Sequence, residues 1–285
     1  MVCPTFRYHE MVLLLRTAGS VLYTPSDHTF AVCAYGDSPY LDECVKSLLA
    51  QTVRTNILIA TSTPNDSIRR VAQKHDIPLY INEGMPGICH DWNCAMSYCT
   101  TPLVTIAHQD DIYLPEYAAQ ALEHMGAAGH PLIFFTDYGE LREGRACDDN
   151  RLLRIKRLLL SPLRIKSLSG SKFTRRRVLS CGSAICCPSV TMCVPNLPHP
   201  VFVSKMKSNL DWEAWEQISR LDGDFVYCDK ILMRHRIHEG SETSALIRDD
   251  TRTAEDLLML EKFWPAPVAR LLNRIYMAGQ SSNSV

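Results

Sequence analysis

The sequence is poor in the features that would assign it to a membrane, a nucleic acid or a structural metal. No stretch approaches the roughly 18 apolar residues that a membrane-spanning helix needs, and the early run MVLLLR ends at Arg16. The formal net charge is -1 over 285 residues, so no overall field selects a polyanionic partner. The twelve cysteines form no C-x-x-C pair. We therefore expect a cytoplasmic globular protein whose thiols stay reduced and which has no zinc site.

Acidic residues are missing from one long segment. Between Asn150 and Leu210 there is no Asp or Glu, whereas twelve of the 30 Lys and Arg fall there. One interpretation is a solvated helical face that offsets the acidic remainder of the chain. The other is a site for anions, in which residues 151–177 contact an anionic glycan, a phosphate-bearing lipid or the inner face of a membrane. Nucleic acid is not expected as a partner, because KFTRRR lacks interleaved aromatic residues.

A regular alternation of patterns begins at Thr29. Short apolar runs typical of buried strands alternate with segments of ten to thirteen residues that have helical periodicity. Asn65 is placed to cap the second helix and Pro115 to open the fourth. The predicted strands are TFAVCAY, NILIAT, IPLYIN, PLVTIA and PLIFFT. This order is typical of right-handed βαβ units and predicts an α/β fold with a mostly parallel sheet flanked by helices.

Polar residues follow three of these strands. In open α/β sheets the ligand crevice lies beyond the carboxyl ends of the strands, so we expect residues 35–37, 61–63 and 108–111 to share one edge. The adjacent carboxylates of Asp110 and Asp111 suit a hard divalent cation, Mg²⁺ or Mn²⁺, bound to a diphosphate. The alternative is that one aspartate only caps the following turn. The pair at the predicted crevice favours the metal.

These segments resemble a known family. FAVCAYGDSPYLDECVKSLLAQT, GICHDWNCAM and TIAHQDDIYLPEY resemble the nucleotide-binding half of family 2 glycosyltransferases, which have the GT-A fold. LDWEAWEQISRLDGDFVYCDKILMRHRIHEGSETS resembles their acceptor half. The resemblance implies one Rossmann-like domain with an N-terminal extension (1–28), a nucleotide-sugar-binding half (29–140), and an acceptor-binding half with C-terminal helices (141–285). It implies inverting, metal-dependent sugar transfer from a nucleotide diphosphate, UDP favoured, to a glycan, polysaccharide or lipid-linked hydroxyl.

The resemblance also implies roles for individual residues. The metal ligands, for Mn²⁺ or Mg²⁺, are Asp110, Asp111 and His238, and His235 could exchange roles with His238. The donor contacts are Tyr35, Asp37, Thr61, Asp91, His108 and Arg236, the last of which would offset the charge of the leaving group.

Two positions depart from the family pattern. His108 stands where the family has the first Asp of its Asp-x-Asp motif, and Thr61, Ser62 and Thr63 stand where an acidic pair often lies near uracil. Hydroxyl groups can hydrogen-bond a base but carry no charge to select one.

By its place in the resemblance, Asp211 is the predicted catalytic base, with Glu213 as the weaker candidate. Ser208 to Asp211 also fits a capping box, and the two roles are compatible because a cap would fix the carboxylate. Two alternative functions stay open at this point. A metal-dependent nucleotidyltransferase would need a glycine-rich phosphate loop, for which AYGDSP is poor. A non-catalytic sugar-nucleotide-binding homologue would explain the departures at His108 and residues 61–63, but the retained Asp110, Asp111, Asp211 and His238 argue against it.

Overall fold

The structure of the protein is a computed structural model that describes residues 21–238 and 251–281. The predicted extension therefore lies mostly outside the described residues. Its last part is attached to the domain, because the Val21 N–H donates to the carbonyl of Gly126 at 3.2 Å. A short 3-10 turn, Pro25–Asp27, leads into the first strand at His28.

One sheet and its flanking helices account for most of the described chain. The strands are β1 (His28–Ala34), β2 (Asn56–Thr61), β3 (Leu79–Ile81), β4 (Leu103–His108), β5 (Ile112–Tyr113), β6 (Pro131–Arg142), β7 (Arg145–Cys147), β8 (Val190–Cys193) and β9 (Asp224–Ile237). The helices are α1 (Leu41–Leu49), α2 (Asp66–His75), α3 (Ile88–Ser97), α4 (Tyr117–Ala127), α5 (Arg151–Leu160), α6 (Lys166–Ser169), α7 (Lys172–Val178), α8 (Leu210–Ile218), α9 (Thr251–Glu261) and α10 (Ala266–Ser281). Among the residues described, no helix has the length and apolar character that crossing a bilayer requires.

The sheet is mostly parallel, with strand order β3-β2-β1-β4-β8-β6-β9-β5, and β7 forms a hairpin with β6. β1, β2, β3 and β4 run parallel, as the sequence predicts. The order differs from a simple succession of βαβ units, because β8 lies antiparallel between β4 and β6. β9 then runs parallel to β6 along its whole length. The carboxyl ends of β1, β2, β4, β6 and β9 consequently share one edge.

Alternation along the strands builds a core on each face of the sheet. In β1, Phe30 and Val32 pack with α1 and α4, whereas Ala31 belongs to the opposite core with α3 and α8. Trp212 and Trp215 of α8 are fully buried in that second core. The apolar residues whose periodicity predicts these helices thus form the surface by which the helices pack on the sheet.

The acid-free segment is paired with acids from other parts of the chain. Its helices α5, α6 and α7 lie over the second half of the sheet, and most of the acidic partners lie on the strands and loops beneath them. The pairs are Arg154 with Asp149, Arg157 with Asp137, Arg164 with Asp229, Lys172 with Asp222 and Arg176 with Glu216. The basic side chains of the acid-free segment therefore form ion pairs with carboxylates of the acid-rich remainder of the chain.

Two predicted helix starts need correction, and one is confirmed. Asn65 caps α2 by accepting the Ile68 N–H at 2.9 Å. The α4 helix begins at Tyr117, two residues after Pro115. The capping box at Ser208 to Asp211 is wrong: the N-cap of α8 is Asn209, and its side chain makes no capping bond to the helix.

The backbone N–H groups just before α8 instead donate to a side chain that is distant in the sequence. The carboxylate of Glu255 on α9 accepts the backbone N–H groups of Lys207, Ser208 and Asn209 at 2.8, 2.8 and 3.1 Å. A partner from elsewhere in the chain thus replaces the local cap that the sequence pattern predicts.

Candidate active site

Asp111 is held at the point where β4 and β9 meet. It follows β4 in a tight turn, its N–H donating to the His108 carbonyl at 3.2 Å. Its side chain is fully buried, and Oδ1 accepts both Nδ1–H of His235 and the backbone N–H of Arg236 at 2.9 Å. The other oxygen, Oδ2, is buried and has no hydrogen-bond partner. Two hydrogen bonds therefore fix Oδ1 of this carboxylate, and Oδ2 has no partner within the protein.

Asp110 is held by the same strand. His238 Nε2 lies 3.0 Å from Asp110 Oδ2, and Arg236 Nε donates to the Asp110 carbonyl at 2.8 Å. The Arg236 guanidinium also bonds Glu43 at 2.6 Å and lies 4.3 Å from the centre of the Tyr40 ring. Arg236 thus positions the backbone of Asp110 and is itself held by Glu43 of α1.

His108 lies beside the two carboxylates at the end of β4. Its ring stacks on Trp92 of α3, with centroids 5.2 Å apart and planes at 26°. Nδ1 is 3.9 Å from Asp111 Oδ2, and Nε2 is buried without a hydrogen-bond partner. Ligand atoms of His108, Asp110 and Asp111 all lie within 4.8 Å of one another. Two carboxylates, an imidazole and a buried unpartnered oxygen fit a divalent cation.

The charges in this cluster shift its pKa values. Burial alone would lower the pKa of His235, but the carboxylates of Asp111 and Asp110 raise it to about 9, so the ring is protonated at neutral pH. Burial opposes ionisation of Asp110, yet the charges of His235 and His108 and the bond from His238 keep its pKa below the usual range. The Asp110 shift keeps a carboxylate charge in the site, and the His235 shift keeps a positive charge beside it.

The loops after β1 and β2 close against the β4 turn. The Gln109 side chain bonds the backbone N–H and carbonyl of Tyr35 at 3.1 and 2.8 Å. Gly36, at φ +62°, donates its N–H to Thr63 Oγ1 at 2.7 Å. These bonds bring the three predicted loop segments together at one edge and leave the Tyr35 ring 61% exposed. Asp37 is exposed in the same loop.

Asp91 lies at the tip of β2 although it belongs to α3. Its carboxylate accepts the Ser62 hydroxyl and the Asn82 amide, each at 2.9 Å. An acid is therefore present beside Ser62, where the strand itself supplies only hydroxyl groups. Thr61 is buried, and its Oγ1 accepts the Thr63 N–H at 3.0 Å, so this side chain shapes the turn.

Asp211 occupies the first turn of α8. Burial raises the pKa of its carboxyl, against the Trp212 N–H bond and the charges of Arg252, Lys156 and His108. Glu213 is engaged elsewhere, because its carboxylate binds Ser204 and Lys262.

Several residues of the site are absent from the sequence-based prediction. Trp92 and Gln109 orient the β4 turn, and Glu43 and Tyr40 hold Arg236. Gln109 could have been included from its position between His108 and Asp110. The other three lie on or next to helices whose relative placement the periodicity does not reveal.

A family model decides the relationship of this chain to known proteins. The model for glycosyl transferase family 2 matches residues 29–192, which is more than half of the chain. The chain belongs to glycosyl transferase family 2. The predicted family and its GT-A fold are confirmed, and the protein is a glycosyltransferase. Comparison with curated protein sequences finds no match.

Solved structures of other glycosyltransferases share the fold. S. aureus TarS (residues 1–349, in complex with UDP-GlcNAc) aligns with a TM-score of 0.56 and 15% identity, over 90% of this chain and 73% of that one. Glucosyl-3-phosphoglycerate synthase from Mycobacterium tuberculosis, in complex with Mn²⁺ and UDP-glucose, aligns with a TM-score of 0.51 and 11% identity, over 82% and 78%. The chain spans 42% of a longer TarS structure.

Proposed function

We propose that this family 2 glycosyltransferase moves a sugar from a UDP-sugar to an acceptor hydroxyl, with inversion at the anomeric carbon and with Mn²⁺ or Mg²⁺ bound. The observation that carries the proposal is the meeting of His108, Asp110 and Asp111 at the carboxyl edge of the sheet, with Asp111 Oδ2 buried and unpartnered. The complexes of TarS with UDP-GlcNAc and of the mycobacterial synthase with Mn²⁺ and UDP-glucose support the donor class and the cofactor.

Asp211 is the catalytic base in this proposal. Its carboxylate accepts the proton of the acceptor hydroxyl while the hydroxyl oxygen bonds to the anomeric carbon. The bond from that carbon to the diphosphate oxygen breaks, and UDP leaves with the electron pair. The raised pKa of Asp211 supports this role, because a base works best when its pKa approaches the working pH. A cation held by Asp110 and Asp111 supplies charge neutralisation for the leaving diphosphate.

The remaining residues bind and orient the donor. The exposed ring of Tyr35 suits stacking on a base, with Asp37 in the same loop. Asp91 and Ser62 offer a carboxylate and a hydroxyl at the tip of β2. Arg236 fixes the Asp110 backbone, and His238 fixes the Asp110 carboxylate.

The test is release of UDP from a panel of UDP-sugars by the purified protein, with hydroxyl acceptors or water, in Mn²⁺, in Mg²⁺ and in EDTA. We expect turnover that EDTA abolishes and added Mn²⁺ restores. Proton NMR of the product reports the anomeric configuration and so tests inversion. Turnover that persists in EDTA would contradict the metal dependence. Binding of UDP-sugars by calorimetry without any UDP release, across the panel, would favour the non-catalytic alternative.

A second proposal concerns the surface of residues 151–177. Leu158, Ile165 and Phe173 are 73, 56 and 72% exposed among exposed basic side chains. Such a surface suits peripheral contact with anionic lipid, which would bring a lipid-linked acceptor to the site. Its ion pairs with Asp149, Asp222 and Asp229 reduce the charge available for this contact. Sedimentation with phosphatidylserine vesicles tests this membrane contact. Binding should fall in high salt and in the Phe173→Ser variant. Equal binding to anionic and to uncharged vesicles would contradict the proposal.

A further inference from the structure

Two residues at or after the end of β4, His108 and Asp111, each have a buried polar atom without a hydrogen-bond partner. Asp111 Oδ2 is buried in a fully buried residue, and His108 Nε2 is buried as well. Nδ1 of the same ring lies 3.9 Å from that oxygen. A buried polar atom without a partner costs free energy, so the unpartnered carboxylate oxygen beside Nδ1 needs a physical reason. A cation bound between Nδ1 and Oδ2 would give that oxygen its partner.

The two other histidines of the site are already engaged. His238 binds Asp110 Oδ2 at 3.0 Å through Nε2, and His235 binds Asp111 Oδ1 at 2.9 Å through Nδ1. Each therefore orients a carboxylate, as outer residues around metal sites do. His108 faces Asp111 Oδ2 through Nδ1 at 3.9 Å, which is too long for a hydrogen bond, and its ring stacks on Trp92.

We propose that His108 is the nitrogen ligand of the divalent cation, and that His238 is an orienting partner of Asp110. The inference rests on the proposed function only in requiring that a cation binds. Imidazole nitrogen favours later transition metals, whereas Mg²⁺ prefers an all-oxygen site. The presence of His108 among the carboxylates therefore predicts that the site binds Co²⁺ and Mn²⁺ in preference to Mg²⁺.

Trp92 is a positioning residue in this arrangement. Among the described contacts, stacking on Trp92 fixes the orientation of the His108 ring, since Nε2 has no hydrogen-bond partner. A smaller side chain at position 92 should therefore free the ring to rotate. Trp92→Leu should weaken Co²⁺ binding more than Mg²⁺ binding. A merely structural role would weaken both equally.

The decisive readout is spectroscopic. MnCl₂ is added to the purified protein, alone and with UDP, and pulsed EPR detects nitrogen bonded to Mn²⁺. We expect a ¹⁴N coupling in the unaltered protein that is retained in His238→Gln and in the remote control His130→Gln, and is lost in His108→Asp and His108→Gln. Labelling the unaltered protein with ¹⁵N-histidine shows whether the bound nitrogen belongs to a histidine, and His238→Gln together with the His108 variants identifies which one.

Calorimetry with the metals alone provides the second readout. The unaltered protein should bind Co²⁺ at least about tenfold more tightly than Mg²⁺, and His108→Asp should reduce this ratio by about tenfold. Mn²⁺ bound without a ¹⁴N coupling, or a coupling that survives in His108→Asp, would overturn the inference and leave the proposed function intact. No Mn²⁺ binding with or without UDP would overturn both.

Discussion

His235 Nδ1 lies 2.9 Å from Asp111 Oδ1, although the two residues are 124 positions apart in the chain. In the sheet, β8 and β6 separate β4 from β9, and the turn after β4 reaches β9 through the short strand β5. The contact joins a protonated ring to a buried carboxylate. It therefore joins the turn after β4 to β9, the last of the described strands in chain order.

This ion pair predicts different results for the two adjacent aspartates. Asp111→Asn removes the charge that His235 needs, and breaking a buried pair costs about 3 kcal/mol or more, so urea unfolding should show a loss of that size. Asp110→Asn should cost less, because Asp110 is partly exposed, yet it should abolish UDP release. Adding His235→Gln to Asp111→Asn should cost little further stability, since the pair is already broken. Equal destabilisation by both single variants would contradict this account.

Asp211→Asn should separate catalysis from binding. Loss of a general base lowers kcat by about 10² to 10⁴, whereas the KM for the donor should change little. Because burial raises the pKa of Asp211, kcat/KM should fall with decreasing pH at values above the ordinary carboxylate pKa of about 3.9. Glu213→Gln is the matched control, since Glu213 binds Ser204 and Lys262 and should leave the rate within a few-fold. A larger loss in Glu213→Gln than in Asp211→Asn would reverse the assignment.

The sequence predicts much of the fold because its periodicity reflects burial. β1, β2 and β4 are apolar on both faces, and Asn65 marks the start of α2 with a local bond. The insertion of β8 between β4 and β6 could not be predicted in this way. Strand pairing depends on which edges meet in three dimensions, and VTMC carries no local signal for its neighbours.

The candidate site is predictable where it follows directly from strand ends. Asp110, Asp111 and His108 sit at the end of β4, so the order of elements alone places them at the crevice. The Asp91 carboxylate beside Ser62 could not be placed in advance, because it depends on how α3 packs on the sheet. Binding of the α8 N-terminus by Glu255 escapes prediction for the same reason.

Glu255 should control the position of Asp211, the proposed base. Its carboxylate accepts three backbone N–H groups before α8, the helix that carries Asp211. Glu255→Ala leaves these donors unpaired and should lower the free energy of unfolding by about 3 kcal/mol, while Glu255→Gln keeps one acceptor and should lose less. We expect kcat to fall in the same order at constant donor affinity. Full activity in a folded Glu255→Ala protein would show that Asp211 does not depend on this contact.

His28 should make the fold sensitive to acid. His28 begins β1 and its ring is fully buried, with Nε2 2.8 Å from Thr105 Oγ1 on β4 and Nδ1 3.1 Å from Thr55 Oγ1 just before β2. Burial lowers the pKa of His28 from 6.5 to about 3, so the folded protein keeps the ring neutral. Below pH 6.5 the unfolded chain binds a proton at this position and the folded chain does not. Stability is therefore lost as the pH falls below 6.5.

The size of this effect follows from the shift. Between pH 7 and pH 5, His28 should reduce the free energy of unfolding by about 2 kcal/mol. Urea unfolding of the unaltered protein and of His28→Gln at both pH values isolates the contribution, because all other titrating groups are shared. At pH 7 the His28→Gln variant should be less stable than the unaltered protein, since glutamine fills the site less well. This difference in the free energy of unfolding should shrink or reverse at pH 5. Parallel pH dependence of the two proteins would mean that His28 takes up its proton equally well in the folded state.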